Sequence, residues 1–108
     1  MVNQIDPLTR LYGAIADPTR RAMLDALHAG PRTVTELGAP FTITLAAVGK
    51  HITTLEAAGL IRTAKRGRVR TCTAVPGGLD EAEEWIRRQR DFWNARLDAL
   101  TAHLEGES

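Results

Sequence analysis

Residues 44–59, TLAAVGKHITTLEAAG, constrain the fold more than any other part of this 108-residue chain. Val48, Ile52 and Leu55 recur at i, i+4 and i+7, with Leu45 one turn earlier, so one side of a helix is apolar and buried. Thr44 suits its N-cap and Gly59 its stop. The opposite side is bare: Ala46, Ala47, Gly49, Lys50 and Thr53 stand where an exposed helix ordinarily carries long charged side chains. Small residues let a helix backbone approach another surface. In a DNA major groove they leave room for base edges and thymine methyls, with Lys50 near phosphate or guanine. The plainer reading is an amphipathic helix whose alanines only raise helix propensity. The neighbouring segments decide between the two.

The length is that of one ordinary domain, residues 1–108, and a hydrophobic content of 44% supplies a single core. Net charge is +1, so the distribution of charge has to speak for or against nucleic acid. One cysteine precludes an internal disulfide and suggests a reducing cytoplasm. No apolar run approaches the ~20 residues of a membrane span, and MVNQIDPLTR lacks a signal-peptide core.

In residues 8–16, Leu8, Leu11, Tyr12 and Ile15 fall at helical spacing behind Pro7. In the DPTRRAMLDALHAGPRT run that follows, Asp17 caps a second helix and Pro18 takes its first position. Ala22, Met23, Ala26 and Leu27 form its stripe, and Gly30-Pro31 ends it. Arg20 and Arg21 lie in the first turn, where the helix dipole disfavours cations. They either face phosphate or form a solvated pair near Asp17 or Asp25. Residues 33–38 predict a short helix burying Val34 and Leu37, and 39–43 a tight connection. Two short helices and a brief turn, the second helix bare-faced, describe a helix-turn-helix over about 33–58.

After Gly59 the period changes. Residues 60–75, LIRTAKRGRVRTCTAV, predict two strands joined around Arg66-Gly67. Arg62, Lys65, Arg66, Arg68 and Arg70 lie here with no acidic residue among them. Beside a helix-turn-helix, such a hairpin would follow the DNA backbone or enter the minor groove; alone, it could be an edge hairpin using cations against edge pairing. Pro76-Gly77-Gly78 breaks the chain, and residues 79–105 predict a long helix. Leu79, Ala82, Ile86, Gln89, Trp93, Leu97, Leu100 and Leu104 follow a coiled-coil seam that Trp85 and Phe92 widen. About 27 residues span roughly 40 Å, longer than so small a body covers. A second copy of the chain would supply the missing partner.

This order of parts resembles the ArsR-type winged helix-turn-helix transcriptional repressors over residues 8–104. The resemblance is carried by DPTRR at 17–21, by VGKHITTLEAAGLI, by the basic KRGRVRTC hairpin and by WIRRQRDFWNARLDAL. It implies a mainly α fold with a small β-hairpin, a homodimer through the first and last helices, and repression at a double-stranded DNA operator. The recognition face would be Thr44, Ala46, Ala47, Gly49, Lys50 and Thr53, with Arg20 nearby and Arg66 and Arg68 at the wing tip. His51, at a position where the family often has histidine, either makes a structural hydrogen bond or contacts phosphate. Many relatives carry Ser at Gly49 and a polar residue near Ala46, so the bases read here are left open. The dimer seam would comprise Leu8, Leu11, Tyr12, Trp85, Ile86, Gln89, Trp93, Leu97, Leu100 and Leu104.

Part of that family senses metals. The thiolate type has cysteines in the helix before the recognition helix; TVTELG has none. The other type uses carboxylate and histidine ligands on the last helix, where only His103 and Glu107 share a suitable spacing. No metal or other cofactor is therefore expected. Without a metal, repression would be released by a small apolar ligand between the long helices, by a partner protein, or by nothing beyond autoregulated concentration. Trp85, Phe92 and Trp93 could line a ligand pocket, although such a stripe also reads as core or dimer seam. Cys72 reads as a small buried residue. Enzyme chemistry finds no support: the glycines are isolated, and the single serine is Ser108. The competing reading is a winged-helix module whose basic hairpin docks an acidic protein.

Overall fold

The computed structural model describes residues 6–106. Helix α1 spans Pro7–Ile15 and α2 spans Pro18–Ala26, followed by a 3-10 turn at Leu27–Ala29. Strand β1 is Arg32–Thr33, α3 is Val34–Gly38 and α4 is Leu45–Ala57. The wing strands are β2, Ile61–Arg66, and β3, Val69–Ala74; α5 runs over Asp80–Gly106. The helix starts obey local chemistry. Asp6, Asp17 and Thr44 each accept a backbone N–H from three residues on. Thr33 and Glu36 form a reciprocal capping box on α3. Past the end of α4, Gly59 has a φ of 76°, a left-handed conformation that its missing Cβ permits.

The core joins all the helices to the sheet. Leu11 and Ala14 of α1, Met23 of α2 and Leu37 of α3 meet Val48, Ile52 and Leu55 of α4, with Ile61 and Cys72 from the wing strands. The predicted α4 stripe is thus inside, except for Leu45, which is 71% exposed. Its angle around the helix is close to that of Ile52; its place along the axis differs. Residues 43–46 are all exposed, so the first turn of α4 overhangs the body. In α2 the buried residue is Met23, while Ala22 and Ala26 face outward and Leu24 packs partly inside. Leu11, expected in a seam between copies, is a core residue at 3% exposure.

The sheet has three antiparallel strands in the order β1-β3-β2. The sequence predicts only the hairpin, because two-residue β1 is too short to show a period. Arg32 and Thr33 pair with Cys72 and Thr71. Helix α5 starts against α1: Ala82 is its buried residue, and the Tyr12 hydroxyl donates to the Ala82 carbonyl at 3.0 Å. The Tyr12 and Trp85 rings meet edge-on at 5.9 Å. From Glu83 to Gly106 every residue is exposed. No helix among the described residues is long and apolar enough to cross a membrane.

Candidate nucleic-acid interface

The bare turn of α4 and the basic wing border one concavity. Leu45 and Gly49 from α4, Thr35 from α3, and Lys65, Arg68 and Arg70 from the wing line a cleft of about 460 Å³. Thr44, Ala46, Lys50 and Thr53 are exposed alongside, and Gly49 is half-buried. A Cβ on Gly49 would meet nothing within 4 Å, so the α4 backbone is open to close approach there. Thr44 Oγ1 accepts the Ala47 N–H at 3.1 Å, so the Thr44 side chain caps the helix as well as facing outward.

The wing turns at Gly67-Arg68, between the paired residues Arg66 and Val69. Gly67 has a φ of 62° and, among the described residues, no non-glycine residue has a positive one, the arrangement a glycine-first type II′ turn needs. Arg66 and Arg68 are exposed at the tip. Lys65 faces Arg70 directly across the ladder. Like charges opposite one another oppose pairing, and among the described residues none of the five wing cations is in an ion pair. A bound polyanion would relieve their repulsion.

Two links hold this surface in shape. The Thr63 N–H and hydroxyl both donate to Glu56 Oε2, at 3.1 and 2.9 Å, tying β2 to the last turn of α4. The second link uses two expected DNA contacts. Arg20 Nε donates to the Ala14 carbonyl at 2.7 Å and Nη2 to the Gly13 carbonyl at 3.0 Å, while Nη1 lies 3.1 Å from His51 Nδ1. Arginine only donates, so His51 Nδ1 accepts. Of the two readings of His51, the structural hydrogen bond is the one observed. Arg20, read from the sequence as either facing phosphate or forming a solvated pair, clips the end of α1 to α4. Arg21 similarly donates to the Ile15 carbonyl at 2.7 Å. Carbonyls left open by the end of α1 attract these arginines, a long-range need that sequence spacing does not reveal.

Asp17 beside this clip has its carboxyl pKa lowered, first by the Arg20 backbone N–H and then by the charge of Arg20. Burial pushes the Cys72 thiol up, and the charge of Glu56 adds to that. Such a thiol is not poised for redox chemistry. Among the described residues no three His, Cys, Asp or Glu side chains cluster as metal ligands; Glu107 lies outside the described residues. The expected seam is exposed on α5 at Trp85, Ile86, Gln89, Trp93, Leu97, Leu100 and Leu104, and half-buried on α1 at Leu8 and Tyr12.

A helix-turn-helix domain model matches residues 15–64. The chain is 31% identical over 98 residues to the HTH-type transcriptional regulator Rv2034 of Mycobacterium tuberculosis, covering 91% of this chain and 89% of that protein. It is 31% identical over 79 residues to the transcriptional repressor SdpR of Bacillus subtilis, covering 73% and 88%. A crystal structure of an ArsR family transcriptional regulator superposes with a TM-score of 0.79 at 45% identity, over 82% of this chain and 98% of the other. With its helix-turn-helix and wing, the chain belongs to the ArsR family of winged helix-turn-helix, DNA-binding transcriptional regulators, and is not an enzyme.

Proposed function

We propose that the protein is a homodimeric repressor that binds an inverted-repeat operator and is not gated by metal. Helix α4 enters the major groove by its first turns, the exposed Thr44 and Ala46 and the half-buried Gly49, with Lys50 and Thr53 following. Ala47, half-buried, lets the helix lie close. Arg66 and Arg68 carry the wing tip to the adjacent minor groove, while Arg20 and His51 position α4 from behind. Two copies joined through α1 and α5 would present two recognition helices about 34 Å apart, one turn of duplex. The likeness to a transcriptional repressor supports the direction of regulation.

The observation that carries this reading is the convergence of unpaired wing cations and a bare helix start on one cleft. Fluorescence anisotropy with a duplex from the gene's own upstream region, titrated over salt, tests it. Lys50→Ala, Arg66→Ala and Arg68→Ala should each weaken binding and reduce the salt slope by about 0.9 for every phosphate no longer neutralised. Affinity indifferent to salt and to all three changes contradicts it, and would favour docking of an acidic protein instead.

A further inference from the structure

Among the apolar side chains around the cleft, Leu45 is the most exposed, ahead of Val69. It opens α4 at the first helical position and is 71% exposed. Its neighbours on that turn offer little for reading bases through hydrogen bonds. Ala46 has no polar side-chain atom, Gly49 has no side chain, and the Thr44 oxygen already caps the helix.

We propose that Leu45 is a specificity-determining residue: its isobutyl group packs on the 5-methyl of a thymine in the major groove and selects an A·T pair in each operator half-site. The inference rests on the DNA-binding reading above and deepens it. Three observations carry it. The first turn of a recognition helix is the part that meets base edges, and this one overhangs the body. Gly49, one turn further on the same flank, leaves the backbone open, so a partner can come close enough to cover Leu45. The cleft surrounds this apolar group with Lys65, Arg68 and Arg70. An occupant that complements this lining is anionic and presents an apolar group. A DNA major groove offers both, because thymine alone among the bases carries a methyl there.

The test uses the full chain. Duplexes are selected from a random-sequence pool, and each thymine of the selected site is then replaced singly by deoxyuridine. That change deletes the methyl and keeps the hydrogen-bonding edge. One thymine per half-site should lose about fourfold in affinity, the worth of a buried methyl. In Leu45→Ala the same replacement should cost nothing. Leu45→Gln should shift the selected site toward an adenine contacted in bidentate fashion. Both variants should keep the wild-type salt slope, since no charge changes, and should melt with wild type, since Leu45 is outside the core. A site at which no thymine methyl matters, or a loss that persists in Leu45→Ala, overturns the role of Leu45 while leaving DNA binding intact. A wild-type chain that selects no sequence and shows no salt dependence overturns the DNA-binding reading together with it.

Discussion

The guanidinium of Arg20 reaches two carbonyls at the end of α1 and the ring of His51 on α4. A planar fork of donors fits these three acceptors, whereas an ammonium group is a single point. Arg20→Ala should therefore destabilise the fold by about 1–3 kcal/mol, read by urea denaturation at neutral pH, because it leaves part-buried acceptors unmet. Arg20→Lys should recover only a fraction of that. If the role is positioning, Arg20→Ala should also weaken DNA binding with the salt slope unchanged; a reduced slope would return Arg20 to the phosphate contacts. The same corner carries a pH effect. The folded pKa of Asp17 lies below its ordinary value of 3.8, so its stabilising contribution is present above that value and lost as pH falls through the lower, folded one. Asp17→Asn keeps a capping side chain but removes the charge. The stability gap between wild type and variant should be open at pH 7 and should close between about pH 5 and pH 2 in denaturation curves. A gap constant over that range contradicts the assignment.

Helices α3 and α4 of the helix-turn-helix pack closely where they meet. A Cβ placed on Gly38, the last residue of α3, would stand 2.7 Å from Val48 Cγ2 on α4. Valine is branched at Cβ and has little rotamer freedom with which to move aside. Gly38→Ala should therefore cost about 1–3 kcal/mol by overpacking, although alanine is the better helix former. A thermal melt reads it; a variant as stable as wild type would mean that α3 and α4 slide apart freely. Such sliding matters for function, because α3 sets the angle at which α4 leaves the body. On the other flank, Glu56 and Thr63 fix the wing to α4. This link couples the wing to α4 on one side of the cleft.

For the whole molecule, α5 is the element that a single copy leaves uncovered. The molecule measures 72 × 40 × 25 Å, and its long dimension reflects a 27-residue helix beside a small body. Phe92, Trp93, Leu97, Leu100 and Leu104 are each more than half exposed. A contiguous apolar stripe of this kind marks an interaction surface, and its 3-4 spacing suits another helix. Surface pairs such as Arg87 with Glu83 at 3.0 Å and Arg88 with Glu84 at 3.3 Å support the helix only slightly. In sedimentation velocity at micromolar concentration, the wild type should run as a dimer and a Leu97→Asp, Leu100→Asp variant as a monomer. The variant should keep its far-ultraviolet circular dichroism, because these side chains lie outside the core. Its operator affinity should fall by about tenfold or more, since two half-sites are no longer held by one particle. A variant that remains dimeric would move the seam elsewhere.

The sequence by itself determined the elements and the family. The 3-4 spacing of Val48, Ile52 and Leu55, the caps at Asp17 and Thr44, the glycine at the wing turn and the acid-free run of cations are local facts, and local facts decide helices, stops and hairpins. Tertiary structure alone decided which side chains remain available. Leu45 has the angle of a core residue but not the depth, and no spacing along one helix tells how far the body extends beneath it. Leu11 shares a stripe with Leu8 and Tyr12, yet lies inside because α2 and α4 close over it. Arg20 and His51 stand 31 positions apart, and β1 is visible only through its pairing with β3. Burial and long-range hydrogen bonding depend on what else arrives at a point in space, and that is settled only when the whole chain has packed.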